Sequence, residues 1–183
     1  MSRIGRLPVA IPEGVTVEIG DQNVVTVKGK LGTLTRAFNP AIGIEVKDNH
    51  VHVTITEEQK KDKAIHALHG LTRVLINNMV VGVSKGYEKQ LVVNGVGYKV
   101  TVSGTNQLTF NVGYSHPVVV DAPQGITLGA NGNEVTVKGI DKELVGQVAA
   151  NIKRIRIPDP YHHYGIRYKD EVLVKKEGKT AGK

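Results

Sequence analysis

The sequence predicts an α+β protein of two tandem, similar domains, each of which is an antiparallel sheet packed by one main helix. Short runs in which apolar and polar residues alternate, bounded by turn residues, fill most of the chain and are typical of half-buried strands. Only two stretches change to the period of an amphipathic helix, and each follows a group of such runs. The order of elements then repeats, because residues 40–55 and the helix after them correspond to residues 123–138 and the helix after those. These observations together indicate a duplicated sheet-and-helix domain.

The first half of the chain is predicted to be a short arm followed by strands. Residues 1–14 are basic at first and then carry two prolines, which is typical of an arm that leads into a sheet. Turn residues separate the alternating runs that follow, and Asp48-Asn49 is the predicted tip of a hairpin. The predicted strands are residues 15–19, 24–28, 33–38, 42–47 and 51–55.

The first predicted helix follows these strands. Thr56 and Gln59 have the spacing of a capping box, in which each side chain satisfies a free backbone N–H at the start of a helix. An apolar stripe then continues to about Val80, and Gly82 and Gly86 end the unit. The stripe consists of Ala64, Leu68, Leu71 and Leu75.

The second half repeats this plan. Its predicted strands are residues 89–93, 96–102, 108–112, 118–120, 126–128 and 134–138. Asp141 is the predicted N-cap of the second helix. Ile157 ends that helix, because a residue before proline avoids helical angles. The predicted buried stripe of the helix is Leu144, Val148, Ile152 and Ile155.

The repeat can be aligned in two registers. Residues 25–29 and 135–139 share the sequence Val-Thr-Val-Lys-Gly, whereas the order of elements aligns residues 40–55 with 123–138. We favour the second register, because each sheet needs the same covering helix. The predicted domains are residues 1–82 and 83–174, followed by a flexible basic tail at 175–183.

Composition limits the classes of function. The chain has no cysteine, which removes disulfides, thiolate catalysis and cysteine-based zinc sites. No apolar run reaches the ~20 residues of a membrane span, and the basic start has no apolar signal-peptide core behind it, so we expect a cytoplasmic protein without a membrane partner. The net charge of +7 is uneven, since the chain from Lys153 onward has 9 Lys+Arg against 4 Asp+Glu. This asymmetry favours a polyanionic partner such as nucleic acid.

The stretch from Arg154 to Lys169 gives the main functional signal. Pro158 and Pro160 favour extended backbone, so the stretch should form a rigid arm, and little in it would fill a core. A solvated basic tail would explain its cations but not its three tyrosines, which suit stacking on unpaired bases. The arm is therefore predicted to bind RNA.

Histidines support the alternative hypothesis, a metal-dependent hydrolase. Asp62, His66 and His69 share one face of the first predicted helix at a spacing that could hold a metal ion, but Arg73 on the same face would repel a cation. No nucleophile stands beside a general base. We therefore expect no enzyme, no metal or other cofactor, and no small-molecule substrate.

Several motifs, taken in their order along the chain, make the sequence similar to a known family. They are His69-Gly70-Leu71-Thr72-Arg73, the run from Asn77 to Gly86, Gly95-Val96-Gly97-Tyr98-Lys99, the run from Asn111 to Pro117, Pro158-Asp159-Pro160-Tyr161 and Gly165-Ile166-Arg167-Tyr168. Over nearly its whole length the chain resembles the bacterial large-subunit ribosomal protein six family. The resemblance implies two duplicated α+β domains that bind 23S rRNA near the base of the lateral stalk and the sarcin–ricin loop, beside the translation-factor site. It also implies neighbouring ribosomal proteins as partners, whereas the residues alone leave open an RNA chaperone outside the ribosome.

The candidate rRNA-binding residues come from the arm, the tail and the matched motifs. Phosphates are expected at Arg154, Arg156, Arg167 and Lys169. Riboses or unstacked bases are expected at Tyr161, His162, His163 and Tyr164. The other candidates are Tyr168, Lys175 and Lys176, with weaker ones at His66, His69, Arg73, Lys85 and Lys99. The family usually has Lys-Gly-Lys in place of His162-His163-Tyr164, and Thr in place of Leu71.

Overall fold

Two units of similar build make up the part of the chain that the structure, a computed structural model, describes: residues 2–56, 62–104 and 106–179. Unit 1 is the chain up to Gly86 with Ile140–Lys142, and unit 2 is Tyr87–Gly139 with the chain from Glu143 onward. Each unit has antiparallel sheets and one main helix, so the predicted α+β fold of two similar domains is confirmed. The domain limits that we derived from the sequence stay predictions.

Unit 1 builds its core from the inward faces of two sheets and one helix. The elements are β1 (Val9–Ala10), β2 (Thr16–Ile19), β3 (Val24–Gly29), β4 (Gly32–Ala37), β5 (Gly43–Lys47), β6 (His50–Thr54) and α1 (Lys63–Ser84). The two sheets have the strand orders β2-β3-β4 and β1-β6-β5. Alternation along β3 and β6 places Val25, Val27 and Val51 in the core at 0% exposure.

The start of α1 lies later in the chain than the predicted capping box. That box, Thr56 with Gln59, reaches into residues 57–61, which lie outside the described residues. The described helix begins after Asp62, whose carboxylate accepts a hydrogen bond from the Ala64 N–H at 2.8 Å. Asp62 therefore caps the helix in the way that short polar side chains do.

The end of α1 also lies later than predicted. The helix runs past Val80 and includes Gly82, and its last residue is Ser84. Val83 explains the extension, because its side chain is 0% exposed and packs against the backbone of Gly29 in β3. Burial of an aliphatic side chain outweighs the modest helix-breaking tendency of one glycine.

Unit 2 repeats the arrangement with one additional strand in its second sheet. The elements are β7 (Tyr87–Asn94), β8 (Lys99–Val102), β9 (Gln107–Asn111), β10 (Val118–Asp121), β11 (Ile126–Asn131), β12 (Glu134–Gly139), α2 (Lys142–Ile155) and β13 (Gly165–Tyr168). The sheets have the strand orders β8-β9-β10 and β11-β12-β7-β13. Helix α2 buries Val145, Val148, Ala149 and Ile152 against them, while Leu144 and Ile155 of the predicted stripe are partly buried.

The two units share a turn, predicted at both places, whose side-chain hydrogen bonds could not be predicted from the sequence. Asn23 and Asn106 each precede the middle strand of a three-stranded sheet, with left-handed φ angles of 57° and 69°. The side-chain amide of Asn23 donates to the Ile42 carbonyl at 2.6 Å, and that of Asn106 donates to the Ile126 carbonyl. These equivalent turns support the register that follows the order of elements. The other register, based on the shared Val-Thr-Val-Lys-Gly sequence, would align β3 with β12. These strands are not equivalent, because β3 is the middle strand of a three-stranded sheet and β12 belongs to the four-stranded sheet.

Replacing Asn106 by alanine should lower the free energy of unfolding by about 2–3 kcal/mol. The substitution removes the bond to Ile126 and leaves the Leu128 N–H, now 2.6 Å from the Asn106 Oδ1, without its acceptor. It also forces alanine into a left-handed conformation. Chemical denaturation measures the change, and the exposed Asn133→Ala is the control, with an expected change within about 0.5 kcal/mol. Equal stability of the two variants would count against this account of the turn.

Candidate nucleic-acid interface

The stretch predicted to be an arm is folded onto unit 2 at both ends. Helix α2 ends at Ile155, and the chain returns as β13, which pairs with β7 so that Gly165 lies opposite Asn94. Ile166 is 0% exposed and joins the core, so the expectation that little in this stretch fills a core is wrong here. Between the two elements lies a loop, residues 157–164, which we call the proline loop.

Asp159 holds the proline loop in shape. Its carboxylate accepts hydrogen bonds from the N–H groups of Tyr161 at 3.1 Å and His162 at 2.7 Å. Its own N–H donates to the Tyr164 carbonyl at 3.1 Å, and its carbonyl accepts from the His163 N–H at 2.9 Å. The N–H of His162, followed by that of Tyr161, holds the pKa of the Asp159 carboxyl below its ordinary value. These bonds support the predicted stiffness of the segment.

The rings of this region differ in their exposure. Tyr161 is 47% exposed and Tyr164 40% exposed, and the Tyr164 ring stacks on His162 with centroids 5.5 Å apart. Tyr168 is half-buried instead, with the Lys153 and Lys89 ammonium groups 5.0 Å and 5.7 Å from its ring centroid. Two of the three predicted exposed rings therefore have free surface, while Tyr168 packs under lysine side chains.

Three exposed cations lie beside these rings. The Lys176 N–H donates to the Pro160 carbonyl at 2.9 Å, which attaches the start of the predicted tail to the proline loop. Lys175 and Lys176 thus line a groove of about 540 Å³ together with Tyr161. Arg154, near the end of α2, is the third exposed cation. Within the described ranges none of these three side chains has a hydrogen bond or an ion pair.

The other predicted cations of this region have partners inside unit 2. The Arg167 guanidinium donates to the Glu171 carbonyl at 3.1 Å. The Lys169 ammonium lies 3.2 Å from the Glu134 carboxylate. The Arg156 guanidinium lies over the Tyr114 ring, 5.2 Å from its centroid. These contacts position the cations, and they make Arg154, Lys175 and Lys176 the strongest phosphate candidates.

A further ion pair joins α2 to the segment that follows β13. The Lys153 Nζ lies 2.6 Å from the Glu171 Oε1, and the two side chains are only about one-quarter exposed, at 24% and 25%. The other carboxylate oxygen accepts a hydrogen bond from the Tyr168 N–H at 3.1 Å. Lys153 is the main cause of a lowered pKa at Glu171.

Replacing Glu171 by glutamine should change how stability depends on pH. Because the folded-state pKa of Glu171 lies below its unfolded value of about 4.3, the stabilisation is present above that value and is lost as the pH falls through the folded pKa. Thermal unfolding should therefore show the wild-type advantage over Glu171→Gln shrinking between about pH 6 and pH 3. A constant advantage of the wild type over Glu171→Gln across this pH range would contradict the assignment.

The weaker candidates of unit 1 include two residues with structural contacts. The His69 ring is 1% exposed, and its Nε2 lies 3.0 Å from the Val53 carbonyl oxygen. His69 is therefore not accessible to rRNA in the folded chain, and we withdraw it as a candidate. Arg73 donates to the carbonyls of Leu7 at 3.1 Å and Pro8 at 3.3 Å, and so holds the N-terminal segment. The weaker candidates that keep solvent access are His66, Arg73, Lys85 and Lys99.

Sequence reasoning missed two tyrosines that belong to this region. Tyr98 and Tyr114 line a groove of about 470 Å³ with Arg154 and Tyr164. Gly95 makes room for the first of these rings, because a Cβ on Gly95 would lie 2.5 Å from the Tyr98 ring.

The described residues do not support the alternative hypothesis. Among them no group of three or more His, Cys, Asp or Glu side chains is placed to hold a metal ion, so a metal-dependent hydrolase finds no support. No helix in the same part of the chain is long and apolar enough to cross a membrane.

The family model and the most similar relatives found by comparison with known proteins agree on one family. The family model described as ribosomal protein L6 matches residues 11–86 and, a second time, residues 94–169. The offset between the two matches is that of the register we favoured. Relatives named large ribosomal subunit protein uL6 are 54% identical in Thermoanaerobacter sp. (strain X514) and 52% in Clostridium kluyveri (strain ATCC 8527), each over 100% of both chains. Another in Clostridium perfringens (strain SM101) is 53% identical over 98% of this chain and 99% of its own. The chain therefore belongs to the ribosomal protein L6 family.

Proposed function

We propose that the chain is a structural, non-enzymatic constituent of the large ribosomal subunit in the cytoplasm. There it binds 23S rRNA near the base of the lateral stalk and the sarcin–ricin loop, and supports the translation-factor site. Membership of the family supports assignment to this subunit, because the relatives that match the whole chain are named large ribosomal subunit proteins. Neighbouring ribosomal proteins are the other proposed partners.

The observation that carries the proposal is the surface formed by Arg154, the proline loop, Lys175 and Lys176, which we call the loop surface. The side chains of its cations are exposed and have no hydrogen bond or ion pair within the described residues. Its rings, Tyr161 and Tyr164, are 47% and 40% exposed. Unpaired cations beside exposed rings suit a polyanion that also offers planar bases.

The chemistry of RNA determines what this surface can recognise. An A-form helix has a deep, narrow major groove that side chains do not read, so recognition depends on shape, phosphates and 2′-hydroxyls. We assign phosphates to the exposed cations, and riboses or unstacked bases to the residues of the proline loop. The proposed contact residues are Arg154, Arg156, Tyr161, His162, His163, Tyr164, Arg167, Tyr168, Lys169, Lys175 and Lys176, with His66, Arg73, Lys85 and Lys99 as secondary ones.

Salt titration of the purified chain on 23S rRNA tests the RNA-binding part of the proposal. If about five phosphates are neutralised, the association constant should fall on the order of a hundredfold or more between 50 and 200 mM salt. A flat titration would contradict the proposal.

Co-sedimentation with large subunits through a high-salt wash should persist, whereas loss of the chain in the wash would favour an RNA chaperone outside the ribosome.

Chemical probing of 23S rRNA tests the proposed location. Subunits that contain the chain should show protected nucleotides at the base of the lateral stalk and at the sarcin–ricin loop, compared with subunits that lack it. Protection confined to other regions of 23S rRNA would overturn the location while leaving RNA binding intact.

A further inference from the structure

A groove in unit 2 lies between the end of α2 and the proline loop. Its volume is about 470 Å³, within the ~300–1,000 Å³ that is usual for small-ligand sites. Its side chains are three tyrosines, two arginines and one aspartate, together with two isoleucines. The polar and aromatic residues that line it are Tyr98, Tyr114, Arg154, Arg156, Asp159 and Tyr164.

The tyrosines on one side of the groove are fixed by the surrounding backbone. The Tyr98 ring lies against Gly95, where a Cβ would come within 2.5 Å of it. The Tyr114 hydroxyl donates to the Ile155 carbonyl at 2.7 Å. Arg156 in turn lies over Tyr114, with its guanidinium carbon 5.2 Å from the ring centroid. The planar guanidinium is therefore positioned at the groove before any ligand arrives.

Tyr164 provides a second planar surface. One face of its ring stacks on His162, with an angle of 23° between the planes. The side chain is 40% exposed and lines the groove, so its other face is available to a ligand. Tyrosine rings and arginine planes are the surfaces on which proteins stack unpaired RNA bases.

The charged side chains of the groove limit which chemical class of ligand it can bind. Arg154 has no hydrogen bond or ion pair in the described part of the chain and can bind a phosphate. The Asp159 carboxylate, 39% exposed, would repel a bare anion but can accept hydrogen bonds from a 2′-hydroxyl or an exocyclic amino group. A nucleotide offers a base that can stack on the rings, a phosphate for the cation and a hydrogen-bond donor for the carboxylate. An inorganic anion or an apolar molecule offers only one of these three.

We infer that this groove holds one unstacked nucleotide of the bound RNA. The base lies against Tyr164 and Arg156, and a flanking phosphate lies at Arg154. The inference rests on the proposed function and deepens it, because it names a single extruded ribonucleotide, rather than the backbone of a duplex, as the ligand of this part of the loop surface.

Two variants of Tyr164 test the inference on the full chain with 23S rRNA. Tyr164→Leu removes the aromatic face and should weaken binding about 10- to 100-fold. Tyr164→Phe keeps the ring and should bind as the wild type does. Because neither variant removes a cation, the salt slope should stay unchanged in both. If the wild type and both variants bind equally well and the salt slope is steep, the groove assignment is overturned and the proposed function stands. A flat salt slope for the wild type would instead overturn the proposed function.

A second measurement does not depend on 23S rRNA or on the folding of a variant. Adenosine 5′-monophosphate added to the wild-type chain should shift the NMR ring signals of Tyr164 and Tyr114, and ribose 5-phosphate at the same concentration should not. Equal shifts with both compounds would show a plain anion site and overturn the inference. The absence of any shift with the nucleotide would overturn it as well.

Discussion

Replacing Arg154, Lys175 and Lys176 together by alanine is expected to weaken binding to 23S rRNA about a hundredfold at moderate salt. All three side chains are exposed and have no hydrogen bond or ion pair within the described residues. Each contact with a charged phosphate contributes about 1 kcal/mol or more, and the loss of three corresponds to about two powers of ten. Their removal should leave the stability of unit 2 nearly unchanged.

The salt dependence of the same variant separates specific contacts from general positive charge. Losing three phosphate contacts should make the slope of log K against log salt shallower by about 2 to 3. A matched control, Arg3, Lys30 and Lys63 replaced by alanine, removes the same charge from exposed positions of unit 1 that also have no hydrogen bond or ion pair within the described residues. It should keep the wild-type slope. If the two triple variants lose affinity equally, the loop surface is not the binding site.

Replacing Gly165 by alanine is expected to destabilise unit 2 by about 3 kcal/mol and to reduce rRNA binding with it. Gly165 has a φ of +150°, and an added Cβ would lie 2.7 Å from the Pro158 N and Cα and 2.8 Å from the Arg156 carbonyl oxygen. All of these are backbone atoms, so no side chain can move aside. The first residue of β13 would have to separate from the proline loop. The Ile166 N–H, which donates to the Arg156 carbonyl at 2.7 Å, would lose its bond.

A second glycine of unit 2 provides the control for this substitution. Gly146 lies within α2, and a Cβ there would meet no atom within 4 Å. Gly146→Ala should therefore stabilise the protein by about 0.5–1 kcal/mol, because alanine loses less backbone entropy in a helix. Denaturant unfolding compares the two variants. Wild-type stability of Gly165→Ala would contradict the anchoring of the proline loop by β13.

Elements that span several periods of their pattern were predictable from the sequence. Alternation over β3 and β9, and the helical period in α1 and α2, each involve enough residues to distinguish strand from helix. The predicted stripe of α1 was wrong in its residues, because Ala64 and Leu71 are exposed and the buried face of the helix includes Ile76 and Val83 instead. The order of these elements also revealed the duplication. Helix limits were less accurate, because the burial of Val83 extends α1 past Gly82.

Short elements and tertiary contacts were not predictable in this way. Strand β13 has four residues, of which Ile166 is the fully buried aliphatic one, and so shows no period of its own. A cationic arm was therefore the natural interpretation of a segment in which the proline loop is longer than the strand that follows it. The pairing of Lys169 with Glu134 and the contact of His69 with Val53 depend on elements distant in sequence. The cations and rings of the loop surface were identifiable because their residue types alone indicate a nucleic-acid partner.

Photo-crosslinking within purified large subunits tests the central claim most directly. A photoreactive amino acid at position 161, in the proline loop, should crosslink to 23S rRNA on irradiation. The same group at position 46, an exposed site in unit 1 where Val46 is 41% exposed, serves as the comparison. Crosslinks from position 161 to nucleotides of 23S rRNA are the predicted result. Efficient incorporation at position 161 with no RNA crosslink would contradict the claim that the loop surface contacts rRNA.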